Sequence, residues 1–154
     1  DESIQLVRKE AQDKQISIIR ESSENVNTVW LDANQIRQVL INLIANAIHA
    51  TGPNGKITIT IKKREPDGIT LAVQDTGKGI PKENFDKIFE PFFSDKPPGQ
   101  GTGLGLFVTK EIVDKLGGAI NVDSRVGEGT TMTVHIPIQH LDGQRQRGGD
   151  VGGR

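Results

Sequence analysis

The chain has 154 residues, enough for one domain with a hydrophobic core and too few for two comfortable ones. It carries 19 basic and 20 acidic side chains, and this near-neutral balance argues against a dedicated nucleic-acid-binding protein. No apolar run approaches the length that spans a membrane, and no signal peptide opens the chain. Cysteine is absent, which excludes disulfides and thiolate metal sites and fits a cytoplasmic location.

The first third of the chain is predicted to begin with a helix and a strand. Residues 1–14 are charged with a helical scatter of apolar residues, and we expect them to be the truncated end of a linker helix. A strand is expected around 16–19, followed by a polar turn at 22–27 and a short extended segment at 29–31. Asp32 is the predicted N-cap of the next helix.

The segment from Ala33 to Ala50 is predicted to be a helix with two different faces. One face is apolar, and another carries amides at Asn42 and Asn46, one turn apart. Aligned amide oxygens can hold a hard cation such as Mg²⁺, which takes further ligands from water and phosphate, although a solvated polar face is the alternative. The core face is expected to contain Ile36, Leu40, Leu43 and Ala47, widened by Ile44 and Ile48, and the polar stripe contains Gln35, Gln38, Asn42, Asn46 and His49.

Asp75 follows the second of two alternating segments, at 57–61 and 69–73, which are joined by a tight turn at 66–68. It continues the inward parity of its strand, and an unpaired buried carboxylate is costly, so a hydrogen-bond donor is expected near it. The exocyclic amine of adenine would supply that donor. The alternative is that Asp75 caps the turn that follows at Gly77.

The stretch from Asp75 to Leu106 is dense in glycine and ends where a helical pattern over 104–116 begins. Glycine allows close approach of the backbone to a ligand, and the first N–H groups of a helix favour an anion. A phosphate-bearing ligand is therefore one interpretation, and a plain surface loop is the other. Neither GxxxxGK[ST] nor GxGxxG occurs, which excludes a P-loop and a dinucleotide fingerprint.

Gly117 and Gly118 are predicted to end that helix. Thr130 has the inward parity of its strand, whereas His135 has the opposite parity, is expected on an exposed or helix-free face, and is assigned no role. Residues 139–154 are polar and rich in glycine and arginine, which predicts a disordered tail. The other elements expected in this part are strands at 120–122 and 132–136 and a turn at 126–129.

Five short motifs resemble, in order and spacing, the boxes of the ATP-binding catalytic domain of bacterial sensor histidine kinases. That domain belongs to the wider group, called GHKL, that includes gyrase, Hsp90 and MutL. The resemblance covers residues 2–138 and implies a Bergerat-type α/β sandwich, a mixed five-stranded sheet with three helices on one face. The motifs are NLIAN at 42–46 (N box), DTGKG at 75–79 (G1 box), FEPFF at 89–93 (F box), GQGTGLGL at 99–106 (G2 box) and GEGTT at 127–131.

The resemblance also implies roles for individual residues. Asn46 would coordinate Mg²⁺ that bridges the ATP phosphates, Asn42 would line the same region, and Asp75 would accept a hydrogen bond from adenine N6. His49 and Ala50 occupy nucleotide-binding positions where many members carry a lysine and an aromatic residue. The other implied contacts are Gly77, Gly79, Ile80 and Thr130 at the base, Lys96, Gly101, Thr102, Gly103, Leu104 and Gly105 over the phosphates, and a mobile lid at 81–101.

The reaction that the resemblance implies is transfer of the ATP γ-phosphoryl group to a histidine, with Asn42, Asn46 and Lys96 as catalytic residues. The acceptor would lie in a separate dimerisation domain, because none of the three histidines here is followed by the acidic residue of the acceptor motif. The chain is therefore expected to be a monomer that binds ATP and Mg²⁺ without phosphorylating itself. Its expected partners are the phosphoacceptor domain of the parent kinase and, downstream, a response regulator.

Three alternatives remain open from the residues. ATPases of the gyrase, Hsp90 and MutL kind place a glutamate as general base where this chain has Asn42, whose amide cannot accept a proton. A Ser/Thr kinase of the anti-sigma-factor type shares the fold, although the FEPFF motif and the long lid favour a histidine kinase. The third alternative is a nucleotide-binding module without catalysis.

Overall fold

The structure is a computed structural model that describes residues 2–22, 33–64, 68–93 and 104–137. Several predicted features lie outside these residues: the cap at Asp32, Lys96, residues 101–103 and the tail at 139–154. The extended segment at 29–31 and most of the two predicted turns, at 22–27 and 66–68, also lie outside them. The elements are α1 (Glu2–Asp13), β1 (Ser17–Ser22), α2 (Ala33–Ala50), β2 (Lys56–Arg64), β3 (Gly68–Asp75), a 3-10 turn (Lys82–Asn84), α3 (Gly105–Lys115), β4 (Ala119–Arg125) and β5 (Gly129–Pro137).

The strands form one five-stranded sheet in the order β1-β2-β3-β5-β4. β1 is parallel to β2, and every other neighbouring pair is antiparallel. The predicted fold class, a mixed five-stranded sheet with three helices, is confirmed. This order places the end of β3 next to the start of β5. The DTGKG motif, which begins at the end of β3, therefore lies beside the GEGTT motif at the start of β5.

Alternation along the strands separates an apolar face from a polar one. Ile59, Val73, Met132 and Val122 are register partners across four strands, and such rows face the helices and form the core. The opposite face is rich in threonine. His135 lies there, half-buried, with its Nδ1 3.0 Å from Thr70 Oγ1, so the prediction of a helix-free face for His135 is confirmed.

The buried ridge of α2 differs from the predicted one. Val39 is fully buried together with Leu43 and Ala47, whereas Ile36 and Leu40 are only half-buried against the core. The apolar residues of α2 cover a wide arc, so periodicity alone could not decide which ridge points at the sheet. The packing of α1 and α3 against α2 decides it.

The helix ends are fixed by specific contacts. Gln15 adopts a positive φ of 56° after α1, and Lys14 Nζ donates to the carbonyls of Ile48 at 2.9 Å and Thr51 at 3.3 Å. A cation at these carbonyls stabilises the C-terminus of α2. Gly117 ends α3 with a φ of 74°, as predicted. No helix among the described residues is long and apolar enough to cross a membrane.

Candidate functional site

Asp75 occupies the last position of β3 on the helix-covered face of the sheet. Its register partners are Ile57 on β2 and Thr130 on β5, and Thr130 is in turn paired with Ser124 on β4. Asp75 and Thr130 are both 5% exposed, which confirms the inward parity predicted for each of them. The sheet therefore places three polar side chains together at one edge of an otherwise apolar face.

Only one carboxylate oxygen of Asp75 is used by the described residues. Oδ1 accepts hydrogen bonds from the N–H of Gly77 at 2.8 Å and from the N–H of Thr130 at 3.2 Å. The cap on the Gly77 turn is therefore formed, and it leaves Oδ2 without a hydrogen bond from the described part of the chain. Burial raises the pKa of the Asp75 carboxyl above its ordinary value, and the two backbone hydrogen bonds oppose the rise.

The loop after Asp75 is held between the end of α2 and the β4–β5 turn. The Lys78 N–H donates to the Ala50 carbonyl at 3.1 Å, and the Lys78 carbonyl accepts from the Gly127 N–H at 2.7 Å. Ala50 thus supports the loop through its backbone.

Two glycines of this loop lie where a side chain would not fit. A Cβ on Gly77 would collide with the Ala50 carbonyl, and one on Gly79 would collide with the Arg125 carbonyl. Gly79 also has a φ of 78°, which only glycine adopts without strain. The G1 motif therefore requires glycine for the close approach of three backbone segments.

Ser124 is a buried residue that was not singled out from the sequence. Its Oγ lies 2.7 Å from the Ile80 N–H donor, 2.9 Å from the Gly129 carbonyl and 2.7 Å from Thr130 Oγ1. The signal for it was available, because Ser124 continues the inward parity of Ile120 and Val122 in the way that marked Asp75.

The two asparagines of α2 have different surroundings. Asn42 Nδ2 donates to the Gly105 carbonyl at 3.2 Å, and Asn42 Oδ1 accepts from Gln38 Nε2 at 3.0 Å. Thr109 Oγ1 also donates to the Gly105 carbonyl, at 2.8 Å. Asn46 is half-buried one turn along, and its side-chain amide makes no hydrogen bond within the described ranges. Asn42 therefore ties α2 to the first turn of α3, whereas the Asn46 amide is available to a ligand.

The N-terminus of α3 lies where the glycine-rich stretch ends. Leu104 occupies the N-cap position and, being apolar, supplies no side-chain cap to the first N–H groups. Gly105 is exposed, and a Cβ there would meet no atom within 4 Å. The dipole and the N–H groups of this helix end suit an anion.

His49 lies at the last turn of α2 on the side of α1. Its Nε2 is 3.4 Å from Glu10 Oε2, in an ion pair that forms when the imidazole is protonated. The side chain is exposed, and its contact with a nucleotide stays a prediction.

The first part of the predicted lid is anchored to the core. Ile88 is buried, and Phe89 and Phe93 pack half-buried against the core cluster, whereas Phe92 is 75% exposed. The lid residues from 94 onward lie outside the described residues.

A groove of about 300 Å³ follows the ends of β3, β4 and β5 beside Asp75. Several of its lining residues, including Gln74, Asp123 and Thr131, share a row on the open face of the sheet. Its lining carries three carboxylates, those of Asp75, Asp123 and Glu128, against the one cation of Arg125, so a triphosphate would be repelled there. Phosphates fit better on the helix side, at the start of α3.

In sequence, the chain is similar to sensor histidine kinases. The sensor histidine kinase ZraS of Salmonella typhi is 39% identical over 136 residues, which are 88% of this chain and 29% of ZraS. The chain thus spans less than a third of the length of that relative.

Two solved structures are similar in fold and in sequence. The catalytic domain of the histidine kinase ThkA, in a nucleotide-free form, aligns with a TM-score of 0.76 and 38% identity over 90% of this chain and 91% of that chain. ThkA in complex with the response regulator protein TrrA aligns with a TM-score of 0.73 and 34% identity over 91% of this chain and 39% of that chain.

The family resemblance of the five motifs is confirmed by an independent match. Residues 31–140 match the family described as histidine kinase-, DNA gyrase B-, and HSP90-like ATPase. This range contains every described residue of the site except Glu10 on α1. The chain therefore belongs to the family of histidine kinase-, DNA gyrase B- and HSP90-like ATPases, and its fold is that of a histidine kinase catalytic domain.

Proposed function

We propose that this chain binds Mg-ATP and transfers its γ-phosphoryl group to a histidine on a separate dimerisation and phosphoacceptor domain. The observation that carries the proposal is that only one carboxylate oxygen of Asp75 accepts hydrogen bonds from the described residues, in a member of this ATPase family. Oδ1 is saturated by backbone N–H groups, whereas Oδ2 is not sealed from solvent and is open to a donor from outside the described part of the chain. The exocyclic amine of adenine is such a donor.

The base would lie beside Asp75 and Thr130, against the loop of Gly77, Gly79 and Ile80. A 6-amino purine presents hydrogen-bond donors to the Asp75 carboxylate, whereas a 6-oxo purine presents an oxygen that this carboxylate repels. Because Lys78 in the middle of this loop is held by backbone hydrogen bonds to Ala50 and Gly127, the acceptor is preorganised and binding does not require the loop to be ordered first.

The phosphates would lie between α2 and the N-terminus of α3. Mg²⁺, when bound, supplies neutralisation of the phosphate charge, and Asn46 has the free amide oxygen to hold it. Asn42 fixes the carbonyl of Gly105, and so holds the first N–H groups of α3 in place for the phosphate oxygens. Lys96 and the residues at 101–105 would complete this region, as the motif resemblance implies.

The partners proposed are the phosphoacceptor domain of the whole kinase and a response regulator. The two described histidines are engaged elsewhere, since His49 faces Glu10 on α1 and His135 lies on the open face of the sheet. The acceptor is therefore proposed to come from another domain. The complex of ThkA with TrrA supports the response regulator as the downstream partner.

A water-activating ATPase is disfavoured by the surroundings of Asn42. An amide cannot take a proton from water, and both ends of this amide already have hydrogen-bond partners in Gln38 and Gly105. Slow intrinsic hydrolysis is expected for the isolated chain.

The proposal is tested by combining nucleotide binding with phosphotransfer. Titration calorimetry with ATP in Mg²⁺ and in EDTA should show binding that Mg²⁺ strengthens. Radiolabelled ATP should then label a purified dimerisation domain of the parent kinase only when this chain is added. A labelled chain with an unlabelled acceptor, or no binding of ATP, would contradict the proposal.

A further inference from the structure

Ser124 on β4 contacts three residues of the site through one hydroxyl group. It is 7% exposed and contacts Ile80 in the loop after β3, and Gly129 and Thr130 at the start of β5. Each of these three contacts is within 2.9 Å. The roles proposed above for the base site do not include Ser124.

The direction of every hydrogen bond in this cluster follows from counting protons. A serine hydroxyl has one proton to donate and two lone pairs that accept. The Ile80 N–H can only donate, and the Gly129 carbonyl can only accept. The proton of Ser124 therefore goes to Gly129, and its second lone pair accepts the proton of Thr130.

The opposite assignment leaves two oxygens facing each other without a proton. If Ser124 donated to Thr130, its 2.9 Å contact with the Gly129 carbonyl would bring lone pairs together. Lone pairs brought together at this distance repel each other, because no proton lies between the two oxygens. The Thr130 hydroxyl is thus held with its proton turned toward Ser124.

We propose that Ser124 is a positioning residue for purine selectivity, because it makes Thr130 present only lone pairs beside the free oxygen of Asp75. The assignment rests on the proposed binding of ATP at this site. Two acceptors on neighbouring strands match the donor hydrogens of a 6-amino purine. The 6-oxo group of inosine or guanine is an acceptor and meets lone pairs at both positions.

The test compares ATP with inosine triphosphate, whose base has an oxygen in place of the 6-amino group and carries a proton on N1. In Ser124→Ala the Thr130 proton is released and can be donated to a 6-oxo group. The ratio of ATP affinity to inosine triphosphate affinity should fall about tenfold, which is the size of one neutral hydrogen bond. Ser124→Thr, which keeps the hydroxyl, should restore the ratio, and Thr131→Val on the open face should leave it unchanged.

Two outcomes would overturn the role of Ser124. The first is an equal loss of affinity for both nucleotides in Ser124→Ala, since a purely structural serine would weaken both alike. The second outcome is measured on Thr130→Val in the otherwise unchanged chain, and it decides the question if Ser124→Ala does not fold. That variant should lose ATP affinity and keep or gain affinity for inosine triphosphate, and a loss at least as large for inosine triphosphate overturns the assignment.

Failure of the proposed function is distinguishable from failure of this role. If the unchanged chain binds neither nucleotide, the proposed function is wrong, and the role of Ser124 is overturned with it. If the unchanged chain prefers ATP but Ser124→Ala keeps that preference, ATP binding stands and only the role of Ser124 is overturned.

Discussion

Replacement of Asp75 by asparagine should abolish most of the affinity for ATP without unfolding the chain. The side chains are nearly the same shape, but the amide has one acceptor and one donor in place of two acceptors. Gly77 and Thr130 both donate backbone N–H groups to the position of Oδ1. The amide oxygen must therefore stay at that position, and the new NH₂ group must take the place of Oδ2 and face the base.

The magnitude follows from the hydrogen bond that is lost and the donor that is left facing another donor. A hydrogen bond to a charged acceptor contributes about 1.5–3 kcal/mol, and an unpaired buried donor costs about 1–3 kcal/mol more. The sum of about 3 kcal/mol or more corresponds to a loss of affinity of roughly a hundredfold or greater. The same amide is a donor to a 6-oxo group, so the variant should bind inosine triphosphate more tightly than the unchanged chain does.

Calorimetric titration with Mg-ATP measures this effect, with thermal unfolding of each apo protein as the check on folding. The matched control is Asp123→Asn, because Asp123 lies exposed on the neighbouring strand β4 and on the open face of the sheet. The control should bind ATP as the unchanged chain does. An Asp75→Asn protein that is folded and binds ATP within about threefold of the unchanged chain would refute the geometry, since about 0.7 kcal/mol is less than one lost hydrogen bond.

Three further predictions concern stability and the metal. Gly79→Ala should lower the free energy of unfolding by more than about 2 kcal/mol, because the new Cβ collides with the Arg125 carbonyl. Gly127→Ala is the control: it is also at positive φ but meets no atom within 4 Å, so it should cost only about 1–2 kcal/mol of backbone strain. Equal costs in urea unfolding would argue against the close contact at Gly79. Burial raises the pKa of Asp75, so the folded state binds its proton more tightly than the unfolded state does, and the free energy of unfolding should fall as pH rises from the unfolded pKa of this carboxyl through its folded pKa. This fall should be missing when the free energy of unfolding of Asp75→Asn is measured against pH. Parallel pH dependences for the two proteins would contradict the raised pKa. Asn46→Ala should weaken ATP binding by on the order of tenfold in Mg²⁺ and little in EDTA, and an equal loss in both would exclude Asn46 as the metal ligand.

Local patterns in the sequence were sufficient to locate most of the helices and strands, whereas the fold class was implied by the family resemblance. Helical periodicity located α2, and alternation located β2, β3 and β5, because both depend only on which side of an element faces the core. The inward position of Asp75 followed from the same alternation. The buried ridge of α2 could not be predicted from periodicity, because the apolar arc of this helix is wide enough for two orientations. Contacts with α1 and α3 select between them.

For the site as well, some features could be predicted from the sequence and others only from the tertiary structure. Parity along β3 indicated that Asp75 points inward, and parity along β5 indicated the same for Thr130. Five motifs in one order indicated the family. Which oxygen of Asp75 remains for a ligand, why Asn42 differs from Asn46, and which way the Thr130 proton points were decided only by tertiary structure. Each depends on a partner that is distant along the chain, such as Gly105, which is 63 residues from Asn42. A hydrogen bond requires two groups within about 3 Å, and only the folded chain brings such distant groups that close.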